Sequence, residues 1–235
     1  MPARRLLPLA LLLLALVLAA CGGSSTTKKE AQATATSTPA AAATGTPAAN
    51  SDTGCQPAKP SSAKKPKPSK PTGKLDPKKT YLATIDTSCG SFQITLAVKQ
   101  APKTAASFDS LVKQGFYNGL TFHRIVPGFV IQGGDPAGNG TGGPGYSVTE
   151  APPSNVSYSH GTVAMAKSGA EAPGTSGSQF FVVTAPDAGL PPDYALLGKV
   201  TKGLDVVDAI GVVPTRSDEQ PVDPVVIKSI KVSAK

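Results

Sequence analysis

Apolar positions recur with two different periods from about residue 81 onward and with none before it. Residues 81–87 (YLATIDT) and 91–98 (SFQITLAV) alternate apolar and polar, with Cys89-Gly90 between them, which predicts an antiparallel hairpin. From Pro102 to Gln114, Ala105, Phe108, Leu111 and Val112 fall at helical spacing, and Gly115 supplies the stop, so a helix is predicted. Short strand-forming runs follow at Leu120–Ile125, Phe129–Gln132, Thr162–Ala166, Gln179–Val183, Ala195–Val200 and Val225–Val232, with a second helix over Leu204–Ile210. Many short strands, two helices and Gly/Pro-rich loops predict a mainly β fold with a closed sheet rather than a doubly wound one. Residues 81–235 suffice for one hydrophobic core.

The chain ahead of residue 81 divides in two. Arg4 and Arg5 precede an apolar stretch from Leu6 to Ala20, too short for a comfortable membrane span, which predicts a secretory signal over residues 1–20. Its ending, LAAC, resembles the lipobox of bacterial lipoproteins, which implies lipidation of Cys21 and an exported protein anchored to the outer face of a bacterial cell membrane. The plainer alternative is a cleaved signal with an incidental cysteine. Residues 21–80 are rich in Ala, Thr, Ser, Pro and Lys, lack apolar periodicity and are expected to form a disordered tether.

Charge is unevenly distributed. The chain carries +8 overall, but the tether accounts for +7 and residues 81–235 for −1. A nucleic-acid-binding domain needs a basic folded face, so nucleic acid is excluded as a partner of the domain. Besides Cys21 there are two cysteines, Cys55 and Cys89, and in an exported protein a bridge between them is expected, with two free thiols as the alternative. His123 and His160 stand at no metal-ligand spacing from the cysteines, so neither a metal nor a cofactor is expected.

The segment 122–136, FHRIVPGFVIQGGDP, places one cation, Arg124, inside an apolar run. Arginine stays protonated in proteins and is rarely buried without a partner, so its partner is an internal carboxylate or a group arriving from outside. Nucleophilic hydrolysis would need a nucleophile beside a base. His123 lies in a strand and reads as structural, His160 reads as a loop residue, and no GxSxG elbow occurs. Gly138, Gly140 and Gly143 match GxGxxG formally, but Pro144-Gly145-Tyr146 follows where a helix would have to receive a phosphate. Asp135 reads as a turn cap. What remains is Arg124, Gln132 and Gln179 among Phe129, Val130, Phe180 and Phe181, an apolar pocket with a few hydrogen-bonding groups. Such a site can catalyse rotation about an amide, where no bond is made or broken.

FHRIVPGFVIQGGDP, then GNGTGGPGY, VAMAKSG, GSQFFVVT and ALLGKV, in that order, resemble the cyclophilin-type peptidyl-prolyl cis-trans isomerases from Tyr81 to the C-terminus. The resemblance implies a closed eight-stranded antiparallel barrel capped by two α-helices, with the site on its outside, acting as a monomer on proline-containing unfolded or flexible polypeptides. It places Arg124 on the family's catalytic arginine, Phe129, Phe181 and Leu190 on its proline pocket, and Val130 on a pocket position often held by methionine. Gln132 falls on the glutamine that orients the arginine and substrate. Ala166, Lys167 and Ser168 fall on the Ala-Asn-Ala stretch whose backbone meets the residue before proline. Gln179 falls on a substrate-lining glutamine, and Tyr194 where histidine is usual. The chain has no tryptophan, and Gly189 sits where many members place the one that helps bind cyclosporin. Two other readings remain open from the residues: a tethered chaperone or binding module of the same fold with little turnover, and a solute-binding lipoprotein.

Overall fold

In a computed structural model, residues 54–61 and 67–235 are described. The expected signal at 1–20 and Cys21 lie outside them.

The first two strands show how side-chain alternation builds the interior. Strands β1 (Tyr81–Thr87) and β2 (Gly90–Leu96) pair antiparallel, with Ala83 opposite Ile94 and Ile85 opposite Phe92. Those four side chains are buried, whereas Thr84 and Gln93, the intervening pair, bond to each other on the outer face at 3.2 Å. Helix α1 (Pro102–Lys113) packs Ala105, Phe108, Leu111 and Val112 into the same interior. Its N-terminus has no local side-chain cap. The Glu150 carboxylate takes that role, accepting the Lys103 and Thr104 N–H groups at 3.1 and 2.8 Å.

The remaining elements are β3 (Arg124–Val126), β4 (Val130–Gly133), β5 (Val148–Thr149), β6 (Thr162–Met165), β7 (Thr175–Ser176), β8 (Phe180–Val183), β9 (Leu196–Lys202), α2 (Leu204–Gly211) and β10 (Ile227–Ala234). The main sheet has eight strands in the order β10-β1-β2-β9-β6-β8-β4-β3, paired antiparallel throughout, while β5 and β7 form a small separate ladder.

The expected closed barrel is corrected here. The sheet is an open half-barrel whose edge strands, β10 and β3, share no ladder. An isolated bridge, Thr121 to Val226, links the two ends together with backbone bonds from the Phe122 N–H to the Val225 carbonyl at 2.9 Å, the Gly119 N–H to the Ile227 carbonyl at 2.7 Å and the Ile227 N–H to the Leu120 carbonyl at 2.8 Å. The run expected as a strand over Leu120–Ile125 is regular only from Arg124 onward. Pro221 and Pro224 offer no N–H to extend the pairing. The Ile125 N–H is taken instead by the Glu219 carbonyl, at 2.8 Å, from the loop between α2 and β10.

Two apolar clusters lie on opposite faces of the central strands. Ile131, Val163, Met165, Phe180 and Val182 point into the main core with Phe108, Tyr117 and Phe122. Their neighbours Val130, Ala164, Phe181 and Val183 form a second cluster with Tyr158 and Ala185. This explains why runs such as FFVV show no polar alternation: both faces are covered.

Within the stretch read as tether, the described residues contact the rest of the fold at several points. Cys55 and Cys89 form a disulfide across a sequence separation of 34, and the Gln56 and Ser61 N–H groups donate to the Ser88 and Gly119 carbonyls. Pro68 is buried, and Leu75 packs on the main core.

Candidate active site

Register brings the polar and apolar parts of the site together. Arg124 is opposite Gln132 across β3 and β4, Gln132 is opposite Phe181 across β4 and β8, and Phe181 is opposite Ala164 across β8 and β6. Residues directly opposite in antiparallel strands project on the same face. One row of side chains therefore runs across the outside of the sheet, from a guanidinium through an amide to an aromatic ring.

A pocket of about 170 Å³ opens over this row, lined by Arg124, Phe129, Val130, Gln132, Ala166, Lys167, Phe181, Leu190 and Tyr194. A broader groove of about 860 Å³ adjoins it, sharing Gln132, Ala166 and Lys167 and including Ser168 and Gln179. The eleven residues that the resemblance places at the site thus line one of two connected depressions, whereas Phe180, read from the sequence as part of the pocket, points into the main core.

The floor is rigid and aromatic. Phe181 and Tyr194 meet edge to face with centroids 5.4 Å apart, and Tyr158 packs against both. The Tyr158 hydroxyl donates to the Tyr194 carbonyl at 2.6 Å and accepts the Tyr194 N–H at 3.0 Å, fixing that residue's backbone. Burial raises the Tyr158 pKa, against the opposing effect of its hydrogen bond to Tyr194, so the hydroxyl remains protonated.

The polar wall is a connected network. The Arg124 Nε–H donates to Glu219 Oε2 at 2.5 Å, and Nη1 donates a long 3.5 Å contact to Gln132 Oε1. The Gln132 amide donates to Gln179 Oε1 at 3.0 Å, and the Gln179 amide donates to the Gly140 and Gly142 carbonyls at 2.9 and 2.8 Å. The glycine-rich loop is in turn wound round the Asp135 carboxylate, which accepts the Ala137, Asn139 and Gly140 N–H groups. A side chain at Gly142 would collide with it, since a Cβ there would lie 2.1 Å from Asp135 Oδ1. Gly138, Gly140 and Gly143 therefore belong to a backbone loop around a carboxylate.

On the far side, the Lys167 ammonium meets Asp193 Oδ2 at 2.9 Å and donates to the Glu171 carbonyl at 3.1 Å. His123, adjacent to Arg124, is buried. Burial lowers its pKa, outweighing the attraction of Asp135, so it is a neutral structural group without a nucleophile beside it. His160 Nε2 lies 2.7 Å from Asp208 Oδ1, away from both depressions.

Three contributors escaped the sequence reading: Glu219, Tyr158 and Asp193. Glu219 stands 95 positions from Arg124, and nothing local marks it. Asp193, inside the LPPDY segment, was the nearest to a detectable signal, being a carboxylate beside an expected pocket tyrosine.

The family profile described as cyclophilin type peptidyl-prolyl cis-trans isomerase/CLD matches residues 82–232. Among curated proteins, the peptidyl-prolyl cis-trans isomerase-like 1 of Aspergillus fumigatus is 41% identical over 152 residues, 63% of this chain and 92% of that protein. The human protein of the same name is 40% identical over 161 residues, 67% of this chain and 93% of that protein. A crystal structure of a cyclophilin-type peptidyl-prolyl cis-trans isomerase from Cryptosporidium parvum superposes with a TM-score of 0.62 at 31% identity, covering 66% of this chain and 99% of that one. A second crystal structure of that protein was obtained in the presence of the dipeptide Ala-Pro, and superposes with a TM-score of 0.61 at 30% identity.

The relatives overturn the expected location. An exported lipoprotein on the outer face of a bacterial membrane is not what they point to, because these matches are eukaryotic isomerase-like proteins. Among the described residues no helix is long and apolar enough to cross a membrane.

Proposed function

Because the chain belongs to the cyclophilin-type peptidyl-prolyl cis-trans isomerases and catalyses that isomerisation, we propose that Arg124 is its principal catalytic group and that residues 81–235 are the catalytic unit. The observation that carries this is the placement of a single guanidinium in the same pocket as the apolar side chains of Phe129, Val130, Phe181 and Leu190.

The reaction asks for little covalent chemistry. Rotation about the Xaa-Pro bond is opposed by amide resonance, with a barrier of about 18–20 kcal/mol. Rate rises only through contacts that strengthen as the amide twists. In this reading Phe129, Val130, Phe181 and Leu190 grip the pyrrolidine ring, with Tyr194 closing the wall. The Arg124 guanidinium donates to the proline carbonyl, or to the nitrogen whose lone pair localises on twisting, and Gln132 orients both arginine and substrate. The backbone of Ala166, Lys167 and Ser168 faces the residue before proline, and Gln179 buttresses Gln132. Each tenfold in rate requires about 1.4 kcal/mol, so an acceleration near 10⁵ needs about 7 kcal/mol. Charge-assisted hydrogen bonding in a partly desolvated pocket, together with restricted geometry, is of that order. Partners of this chemistry are flexible polypeptides bearing accessible Xaa-Pro bonds, and Ala-Pro is the simplest probe.

The test is a proline-isomerisation assay on the full chain and on Arg124→Ala. Turnover should fall by roughly 10²–10³ if a preorganised transition-state donor has been removed. Equal turnover in the two proteins would refute the assignment.

A further inference from the structure

We infer that Glu219 is a positioning residue that holds the Arg124 guanidinium in its working orientation; this rests on the reading of Arg124 as the catalytic group. Glu219 Oε2 accepts the Nε–H of Arg124 at 2.5 Å. Glu219 lines neither depression, whereas Arg124 lines the smaller one. The carboxylate therefore grips the guanidinium from its Nε side, outside the pocket, while Nη1 reaches toward Gln132 inside it. A long side chain on a three-residue edge strand would otherwise sample many rotamers. Fastened at Nε, the planar fork has its direction set, and the terminal nitrogens remain available for a substrate carbonyl.

The backbone of Glu219 gives an independent reason. Among the described residues it is the one non-glycine with positive φ, at 65°. Glycine adopts that conformation without penalty, so a residue with a side chain there carries a strain that the surrounding contacts must offset. The conformation is fastened on both sides: the Glu219 N–H donates to the Arg216 carbonyl at 3.0 Å, and the Glu219 carbonyl accepts the Ile125 N–H at 2.8 Å. Arg216 N–H in turn donates to the Gln220 carbonyl at 2.8 Å, and Thr215 bridges Pro221, closing the loop. The same residue thus binds the backbone next to Arg124 and the side chain of Arg124 itself. The loop substitutes for a strand at the open edge of the sheet and delivers a carboxylate there.

The test uses the full chain with Glu219→Gly, Glu219→Gln and Arg124→Ala, each assayed for isomerisation of an Ala-Pro peptide and for thermal midpoint. Glu219→Gly should fold with an equal or higher midpoint, because glycine relieves the positive φ. Its kcat should fall about tenfold or more with KM little changed, as expected when a transition-state contact is misplaced. Glu219→Gln should recover part of kcat, since its amide oxygen can still accept from Nε. The Arg124 Nε–H NMR signal should exchange slowly in the parent and quickly in Glu219→Gly. A kcat for Glu219→Gly within twofold of the parent, or above it, while Arg124→Ala is inactive, overturns the role of Glu219 alone. Full activity in Arg124→Ala overturns the reading of Arg124, and this inference with it.

Discussion

The Lys167 ammonium is only 5% exposed and sits 2.9 Å from the Asp193 carboxylate, with the Tyr194 ring centroid 5.6 Å away. One buried cation thus ties the stretch after β6 to the LPPDY segment that carries Leu190 and Tyr194, across the mouth of the pocket. Removing the carboxylate leaves that ammonium with backbone carbonyls and an aromatic face. Asp193→Ala should cost about 1–2 kcal/mol, below the range for a fully buried pair because the carboxylate is partly solvated. It should also raise KM for a proline peptide by loosening Tyr194. Restoring an uncharged partner in Lys167→Asn/Asp193→Ala should regain part of the stability. Urea midpoints of the two variants and the parent decide this, and an unchanged midpoint in Asp193→Ala would contradict it.

Glu150 caps a helix from 46 positions away. Two N–H groups at the start of α1 lose their acceptor in Glu150→Ala, and the favourable charge at that helix end is lost as well. A cost of about 1 kcal/mol is expected, which lowers the melting temperature of a domain this size by about 2–4 °C. Glu150 lines neither depression, so the isomerase rate should stay at the parent value when measured well below the melting transition. Loss of rate without loss of stability would show that the cap has been misread.

Most of the architecture was legible because it is written in local periods. The hairpin at β1 and β2, both helices and the short apolar runs carry their own alternation or helical spacing, and each run expected as a strand holds a strand of the main sheet. The pair β5 and β7 was not legible, since Val148–Thr149 and Thr175–Ser176 are two-residue strands paired across β6 and its flanking loops. Closure was overread for a similar reason: apolarity over Leu120–Ile125 reports burial, while the hydrogen bonds that decide a ladder depend on prolines and on a distant loop. At the site, Arg124 announced itself as a charge in an apolar run, but its carboxylate partner did not. Leu190 and Tyr194 came from resemblance, because aromatic and aliphatic residues in loops look alike whether they line a pocket or cover a core.

The bridge between Cys55 and Cys89 ties the stretch ahead of β1 to the tip of the β1–β2 hairpin. In the chain-entropy model a loop of this length contributes about 3–4 kcal/mol, an upper figure where the reduced chain keeps some structure. Reduction, or Cys55→Ser with Cys89→Ser, should therefore lower the denaturation midpoint. Isomerase activity should persist, because neither cysteine lines the pocket. Mass spectrometry of unreduced peptides checks the pairing itself, and equal midpoints with and without reductant would remove its energetic role.

His123 makes stability depend on pH with a definite sign. It is 6% exposed, and burial lowers its pKa from the ordinary 6.5 despite the opposing effects of the nearby Asp135 charge and of Gln179. In the unfolded chain the imidazole protonates near 6.5, whereas the folded protein resists that proton until the pH is lower. Stability is therefore complete above the unfolded value and is lost as pH falls toward the lowered folded value. Within that window the slope is up to about 1.4 kcal/mol per pH unit for a single group. Thermal midpoints at pH 7.5 and 5.5 for the parent and for His123→Phe test it. The parent should lose more of its midpoint on acidification than the variant, whose buried ring cannot take up a proton. An equal drop in both would mean that other groups account for the acid sensitivity.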